Sequence, residues 1–226
     1  IPTAHSGPLL DGEPNAAFPG LKLWLKSEAD VYNVADTTPA ADGQTVAQWK
    51  NQALGAAANS HAAGGANQPT LESGAGDLIG GRPVVRFDGL NDELGGALAV
   101  TAEKTIFAVM MDTGTQTTWC SGGVWTNGND NALGTKRSGS ESRLNLDWNG
   151  SGRTGPTDIK DQAIVAALTW NTTGSVYGQI FLNGVTEDME TAAHAGAASA
   201  YKLGTRGTDG PAYGRWFKGD YAEILI

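Results

Sequence analysis

Oxygen-bearing side chains crowd one short stretch of the chain. Residues 87–94 read FDGLNDEL, placing Asp88, Asn91 and Asp92 within one turn's length, with Glu93 beside them. Calcium takes about six to eight oxygens from carboxylates, carbonyls and waters. Gly89 would let the backbone bend enough for one loop to supply several of them. Glu223, in the last apolar run, would add a carboxylate if the first and last strands lie side by side. Asp88, Asn91, Asp92 and Glu223 are thus the expected ligands of a Ca2+ ion. The same residues also read as a plain turn, with Asp88-Gly89 reversing the chain and Asn91 capping it.

A second oxygen-rich stretch, TNGNDN (126–131), directly follows Trp125. Sugars are recognised by flat aromatic faces against their C–H surfaces and by polar groups at the rim. Of the seven tryptophans, Trp125 and Trp148 stand next to polar, glycine-bearing loops, and most of the others are expected in the core. Arg137 and Arg143 lie near those loops and could grip a carboxylate with both arms of the guanidinium. The expected ligand-binding set is Trp125, Asn127, Asn129, Asp130, Arg143 and Trp148. TNGNDN is also a second candidate for calcium.

Catalytic patterns are sparse. Glycosidases need two carboxylates flanking the bond, and the sandwich-fold glucanases carry them as E-x-D-x-x-E on one strand. The nearest run, Glu187-Asp188-Met189-Glu190, lacks that alternation. SESRL (140–144), QIF (179–181) and WFKGDY (216–221) resemble, in order, the motifs of alginate-lyase-like jelly rolls, which would make Arg143, Lys218 and Tyr221 catalytic. Phe181 stands where that family has its histidine, so the proton-transfer set is incomplete. His5, His61 and His194 show no metal-ligand spacing. Cys120 has no partner for a disulfide and is expected to be a small buried hydrophobe. The expectation is a chain that binds rather than reacts.

The elements that must position these residues are strands. The chain has 226 residues, 32 of them glycine, and only 17% are charged. Glycine costs a helix interior roughly 1 kcal/mol relative to alanine. Strand-like runs occur at 21–25, 45–50, 82–87, 105–111, 117–125, 142–148, 163–170, 177–184 and 220–226, and several alternate apolar with polar. Leu21, Leu23 and Leu25 share one face, as do Leu144, Leu146 and Trp148. Asn127-Gly128 and Asn183-Gly184 are tight-turn pairs. Two alanine-rich stretches, 53–66 and 191–200, read as loops or short helices. The expected fold is all-β, two packed antiparallel sheets that form a sandwich over residues 21–226. Residues 1–20, with four prolines and three glycines, read as an extended arm or linker.

A net charge of −9 with no basic cluster argues against nucleic acid as a partner. No run approaches the roughly 20 apolar residues of a membrane helix. The opening IPTAHSGPLL lacks a starting Met, and the ending GDYAEILI reads as mid-strand, so the chain is expected to be a processed piece of a longer exported precursor.

The order LKLWLKSEADVY, DGQTVAQWKNQ, QPTLESGAGDLIGGRPVVRFDGLNDEL, KTIFAVMM, then YGQIFLNGV and GDYAEILI resembles the laminin-G-like, concanavalin A-like domains of exported bacterial proteins. The resemblance covers about residues 20–226. It implies a two-sheet antiparallel jelly-roll sandwich of the concanavalin A type, and a secreted or cell-surface carbohydrate-binding or adhesion module, often with calcium. The other expectation is a structural or decoration domain contacting neighbouring subunits of a surface assembly, with the proline-rich start exchanged as an arm.

Overall fold

The computed structural model describes residues 9–10, 13–14, 16, 18–53, 59–62, 64–115, 121–126, 130–148, 151–192, 196–205 and 214–226. In chain order the strands are β1 (Leu9–Leu10), β2 (Glu13–Pro14), β3 (Trp24–Lys26), β4 (Val31–Val34), β5 (Thr38–Pro39), β6 (Gln48–Trp49), β7 (Ser60–Ala62), β8 (Thr70–Glu72), β9 (Val84–Asp88) and β10 (Leu94–Val100). They continue as β11 (Lys104–Asp112), β12 (Ser121–Thr126), β13 (Asp130–Ser138), β14 (Glu141–Trp148), β15 (Ser151–Thr154), β16 (Ala163–Trp170), β17 (Gly178–Leu182), β18 (Val185–Glu190), β19 (Ala198–Leu203) and β20 (Lys218–Leu225). One 3-10 turn, Gly65–Asn67, is the sole helical element among the described residues.

Two antiparallel sheets carry nearly all of this. A ten-stranded sheet runs β15-β14-β13-β12-β19-β10-β7-β6-β4-β5. An eight-stranded sheet runs β18-β17-β16-β11-β20-β9-β8, with β3 also paired to β20. The fold is therefore an all-β, two-sheet jelly-roll sandwich, as the two-residue periodicity predicts. β16 shows the reason: Ile164, Ala166 and Leu168 point inward, while Ala163 and Val165 point out. Between β17 and β18 the Asn183-Gly184 turn has φ of 50° and 82° at its two central residues, the geometry of a tight two-residue hairpin.

The core lies between the sheets. Leu23, Leu25, Ile106, Met110, Leu168 and Ile224 from one sheet meet Trp49, Leu94, Val124, Leu133, Leu144, Leu146 and Leu203 from the other. Phe87, Phe217 and Tyr221 form an edge-and-face aromatic cluster, with Phe87 and Tyr221 rings 5.7 Å apart at 89° and Phe217 and Tyr221 4.7 Å apart. Such pairs contribute about 0.5–1.5 kcal/mol beyond burial.

The alanine-rich stretches depart from expectation. Ser60–Ala62 is β7, and β19 begins at Ala198. β19 sits between β10 and β12, and it turns Tyr201 and Leu203 into the core. Pairing on both sides outweighs alanine's weak strand preference.

Candidate functional site

The outer face of the ten-stranded sheet carries Arg143, and the register row that crosses it includes the Trp125 position. Leu144 and Leu146 point into the core, so Arg143, Asn145 and Asp147 point away from it. Register then extends one row across nine strands: Tyr32, Gln48, His61, Gly95, Lys202, Trp125, Ala132, Asp147 and Gly152 are successive cross-strand partners. At about 4.8 Å between strands, this row is on the order of 40 Å long. A second, shorter row joins Gly134, Asn145 and Thr154, and a third pairs Lys136 with Arg143.

Small residues recur along these rows: Gly95, Gly134 and Gly152 have no side chain and Ala132 only a methyl group. Gly95 has Tyr201 O 2.8 Å from where a Cβ would stand, so the site resists any larger residue. Outward-facing polar residues are nevertheless buried: Gln48 and Asp147 are 0% exposed and Asn145 is 4% exposed. Thr154 Oγ1 donates to Asn145 Oδ1 at 3.0 Å, which fixes the amide.

A pocket of about 310 Å3 opens at the β13–β15 end of this face, lined by Lys136, Ser138, Glu141, Arg143 and Thr154. Arg143 Nη2 donates to Glu141 Oε2 at 2.6 Å. Its Nε is buried and has no hydrogen-bond partner among the described residues, while the side chain as a whole is 39% exposed. A buried donor left unmade costs roughly 1–3 kcal/mol. Further along the row, Lys202 pairs with Glu93 at 3.1 Å, and Lys50 Nζ sits 4.5 Å over the Tyr32 ring.

Of the residues expected to touch ligand, Arg143 lies in this pocket and Trp125 in the long row. Asp130 and Trp148 are direct cross-strand partners. The side chains of Trp125, Asp130 and Trp148 lie outside the described part, as do Asn127 and Asn129 entirely, and also Cys120, His5 and His194. His61, expected in a loop, belongs to β7 and the long row. Lys136, Glu141, Asn145, Asp147, Thr154 and Lys202 were not expected. The signal for two of them was present: LNLDW alternates leucine with Asn145 and Asp147.

Arg137 does not reach a ligand. It is 3% exposed and points between the sheets, where Nη2 donates to Asp112 Oδ1 at 2.6 Å. Alternation explains this, because Arg137 pairs with Ser142 on the inward side.

The expected calcium set also separates. Asp88 Oδ1 accepts from Leu90 N at 2.7 Å and Asn91 N at 3.3 Å. Asp92 Oδ2 accepts from Asp88 N at 2.7 Å, and Asn91 Nδ2 donates to Ala66 O at 2.7 Å. These oxygens build the turn itself, with Gly89 at φ 80°. Glu223 does not join them. Asp88 faces Lys218 across β9 and β20, which puts Glu223 five residues further on, about 17 Å along the strand. It is held instead by Trp24 Nε1 at 2.6 Å. First and last strands do lie together, but β3 meets the far end of β20 from Asp88. Among the described residues, no group of three or more His, Cys, Asp or Glu side chains is placed to hold a metal ion.

The lyase set fails on geometry. Tyr221 is 0% exposed, and burial pushes its hydroxyl well above the ordinary tyrosine range. It packs between Phe87 and Phe217, while Arg143 lies outside the other sheet. No polymer reaches both.

Fold and face together define a two-sheet jelly-roll sandwich with an open, polar-edged sheet surface. No protein-family model matches the chain, and no curated protein matches it by sequence. Several solved structures share the fold. Domain 4 of AbnA, a GH43 extracellular arabinanase from Geobacillus stearothermophilus in complex with arabinotriose, is 15% identical with a TM-score of 0.52, over 91% of this chain and 90% of that one. Trypanosoma rangeli sialidase with the inhibitor DANA is 12% identical with a TM-score of 0.54, over 98% of this chain and 33% of that one. A structure from work on botulinum neurotoxin type C, whose passage into cells is dependent upon interaction with two ganglioside molecules, is 8% identical with a TM-score of 0.54, over 91% of this chain and 47% of that one. The chain thus spans about a third of the sialidase and about half of the neurotoxin chain. These likenesses show the two-sheet jelly-roll fold and not laminin G in particular.

The expectation that the chain is no enzyme is overturned by the same likenesses, since an arabinanase and a sialidase both contain this fold. No described helix is long and apolar enough to cross a membrane.

Proposed function

We propose that the chain is a carbohydrate-binding domain of an exported, laminin-G-like type, and that the outer face of β12–β15 is its recognition surface. The observation that carries this reading is the Arg143 side chain, 39% exposed on the 310 Å3 pocket and paired there with Glu141. A guanidinium presents donors in a fixed fork, suited to sugar hydroxyls and to a sugar carboxylate alike. Glycine and alanine along the rows leave room for a sugar ring, with Thr154 and the Arg143 side chain at the pocket to orient it. Two of the similar structures are described with glycans: the arabinanase domain holds arabinotriose, and the neurotoxin interacts with gangliosides.

A glycan array spanning arabino-oligosaccharides, uronates and sialylated chains tests the reading. Retention by the wild-type protein, with Arg143→Ala weakening it about tenfold or more, is the expected result. The same panel assayed for newly released chain ends reports whether bound glycan is also cleaved. Uniform absence of retention, or retention indifferent to Arg143→Ala, contradicts the assigned face.

A further inference from the structure

A second cavity lies at the other sheet. It is a half-open groove of about 570 Å3 where the 18–22 segment, the start of β11 and the end of β20 meet. That volume falls within the roughly 300–1,000 Å3 range of small-molecule sites. Phe18, Leu21, Val100, Phe107, Leu225 and Ile226 give it apolar walls. The backbone holds this shape firmly: Lys22 N and Leu23 N both donate to Ile226 O, and Ile226 N donates back to Leu23 O. Phe107 registers with Leu225, so their side chains stand side by side on the sheet's outer surface. Phe107 is 43% exposed, an aromatic ring turned to water on an otherwise well-packed strand.

Two ammonium groups edge the groove. Neither Lys22 nor Lys104 forms an ion pair among the described residues. Lys22 Nζ donates to Pro19 O at 3.3 Å, and Lys104 Nζ donates to Gly196 O at 2.7 Å and Thr101 O at 3.4 Å. Carbonyls thus place the Lys104 head without neutralising it, and burial lowers its pKa to about 8. The one acid on the rim, Glu103, is turned elsewhere: its Oε1 accepts from Thr172 Oγ1 at 2.6 Å. Thr101 Oγ1 donates to Glu103 O at 2.5 Å. The groove therefore offers hydrocarbon surface and uncompensated positive charge, with few free groups to bind hydroxyls. A sugar, even an acidic one, would leave its hydroxyls unpaired there.

We propose that this groove binds a single-chain anionic amphiphile, a long-chain fatty carboxylate, with its chain against Leu21, Phe107 and Leu225 and its head between Lys22 and Lys104. Each methylene laid on the walls removes apolar surface from water, so affinity should rise up to about fourfold per added methylene.

Calorimetric titration of the whole chain with dodecanoate below its micelle concentration is the test. One-to-one binding is expected, at least tenfold tighter than dodecanol. Phe107→Glu and Lys22→Glu, both at exposed positions, should each weaken it about tenfold or more. Val185→Glu, on the same sheet at a 67% exposed position outside the groove, should leave it unchanged. The proposal is overturned by absent binding, by dodecanol binding equally well, or by Phe107→Glu binding as wild type does. It is equally overturned if the protein takes phosphatidylglycerol vesicles but not monomeric dodecanoate, or if glucuronate displaces the ligand. Phe107→Glu leaves Arg143 untouched, so failure here and failure of the glycan reading are separable.

Discussion

At the scale of single residues, one polar contact inside the sandwich stands out. Asp112 on β11 and Arg137 on β13 meet between the sheets, 0% and 3% exposed. Asp112 accepts from Arg137 Nε and Nη2, from Ser142 Oγ at 2.8 Å and from Gly114 N at 2.9 Å. Tyr221 lies near enough that the Asp112 charge adds to burial in raising its pKa. A buried pair gains little over an apolar pair of the same shape, but losing one partner strands the other charge. Arg137→Met should therefore cost roughly 3–5 kcal/mol in denaturant unfolding. The double change Arg137→Met with Asp112→Leu should recover much of that. A single variant losing under about 1 kcal/mol would show that the pair does not tie the sheets together.

At the scale of elements, the β9–β10 turn carries its own pH signature. Asp92 is buried, and its desolvation, with the nearby Asp88 charge, raises its carboxyl to about 6 despite the Asp88 N–H it accepts. Its ordinary value is 3.8. A carboxyl raised on folding makes the folded state bind the extra proton between those two values. Its contribution to stability is therefore largest below about pH 4 and falls away as pH rises to about 6. Asp92→Asn keeps an acceptor for the Asp88 amide and removes the charge. Above pH 6 the variant should be more stable than wild type by on the order of 2 kcal/mol, with the difference vanishing near pH 4. Melting curves across that range check it, and a difference independent of pH would refute the assignment. Legibility of the elements followed packing. β16 was plain in the sequence at 163–170, because its apolar run and flanking breaks suit only a strand buried in the middle of a sheet. β13 was not, because NALGTKRS places Arg137 at an inward position, and the partner that permits this, Asp112, comes 25 residues earlier on the other sheet. β19 hid in an alanine-rich stretch for the same reason, its pairing being wholly non-local.

At the scale of the whole molecule, the two faces divide the surface by character. The ten-stranded sheet turns outward a long row that mixes small and polar residues, while the eight-stranded sheet turns outward Phe107, Val165 and Met189. Trp125, Arg143, Asp130 and Trp148 could be picked out one by one, as residues beside polar loops. That the Trp125 and Arg143 positions share one stretch of sheet could not, because it depends on the pairing of β12, β13 and β14, and a slip of one residue would turn Arg143 to the other side. Glu223 shows the converse. Its strand was foreseen, and β20 does pair with both β3 and β9, yet antiparallel register sends Glu223 to the opposite end from Asp88.

Hydrogen–deuterium exchange, with and without the tightest-binding oligosaccharide from the array, tests the recognition face most directly. Ligand should slow exchange across residues 130–154 and leave 104–112 and 163–170 unchanged. Protection confined to those latter strands, or spread evenly over both sheets, would contradict the placement of glycan on β12–β15.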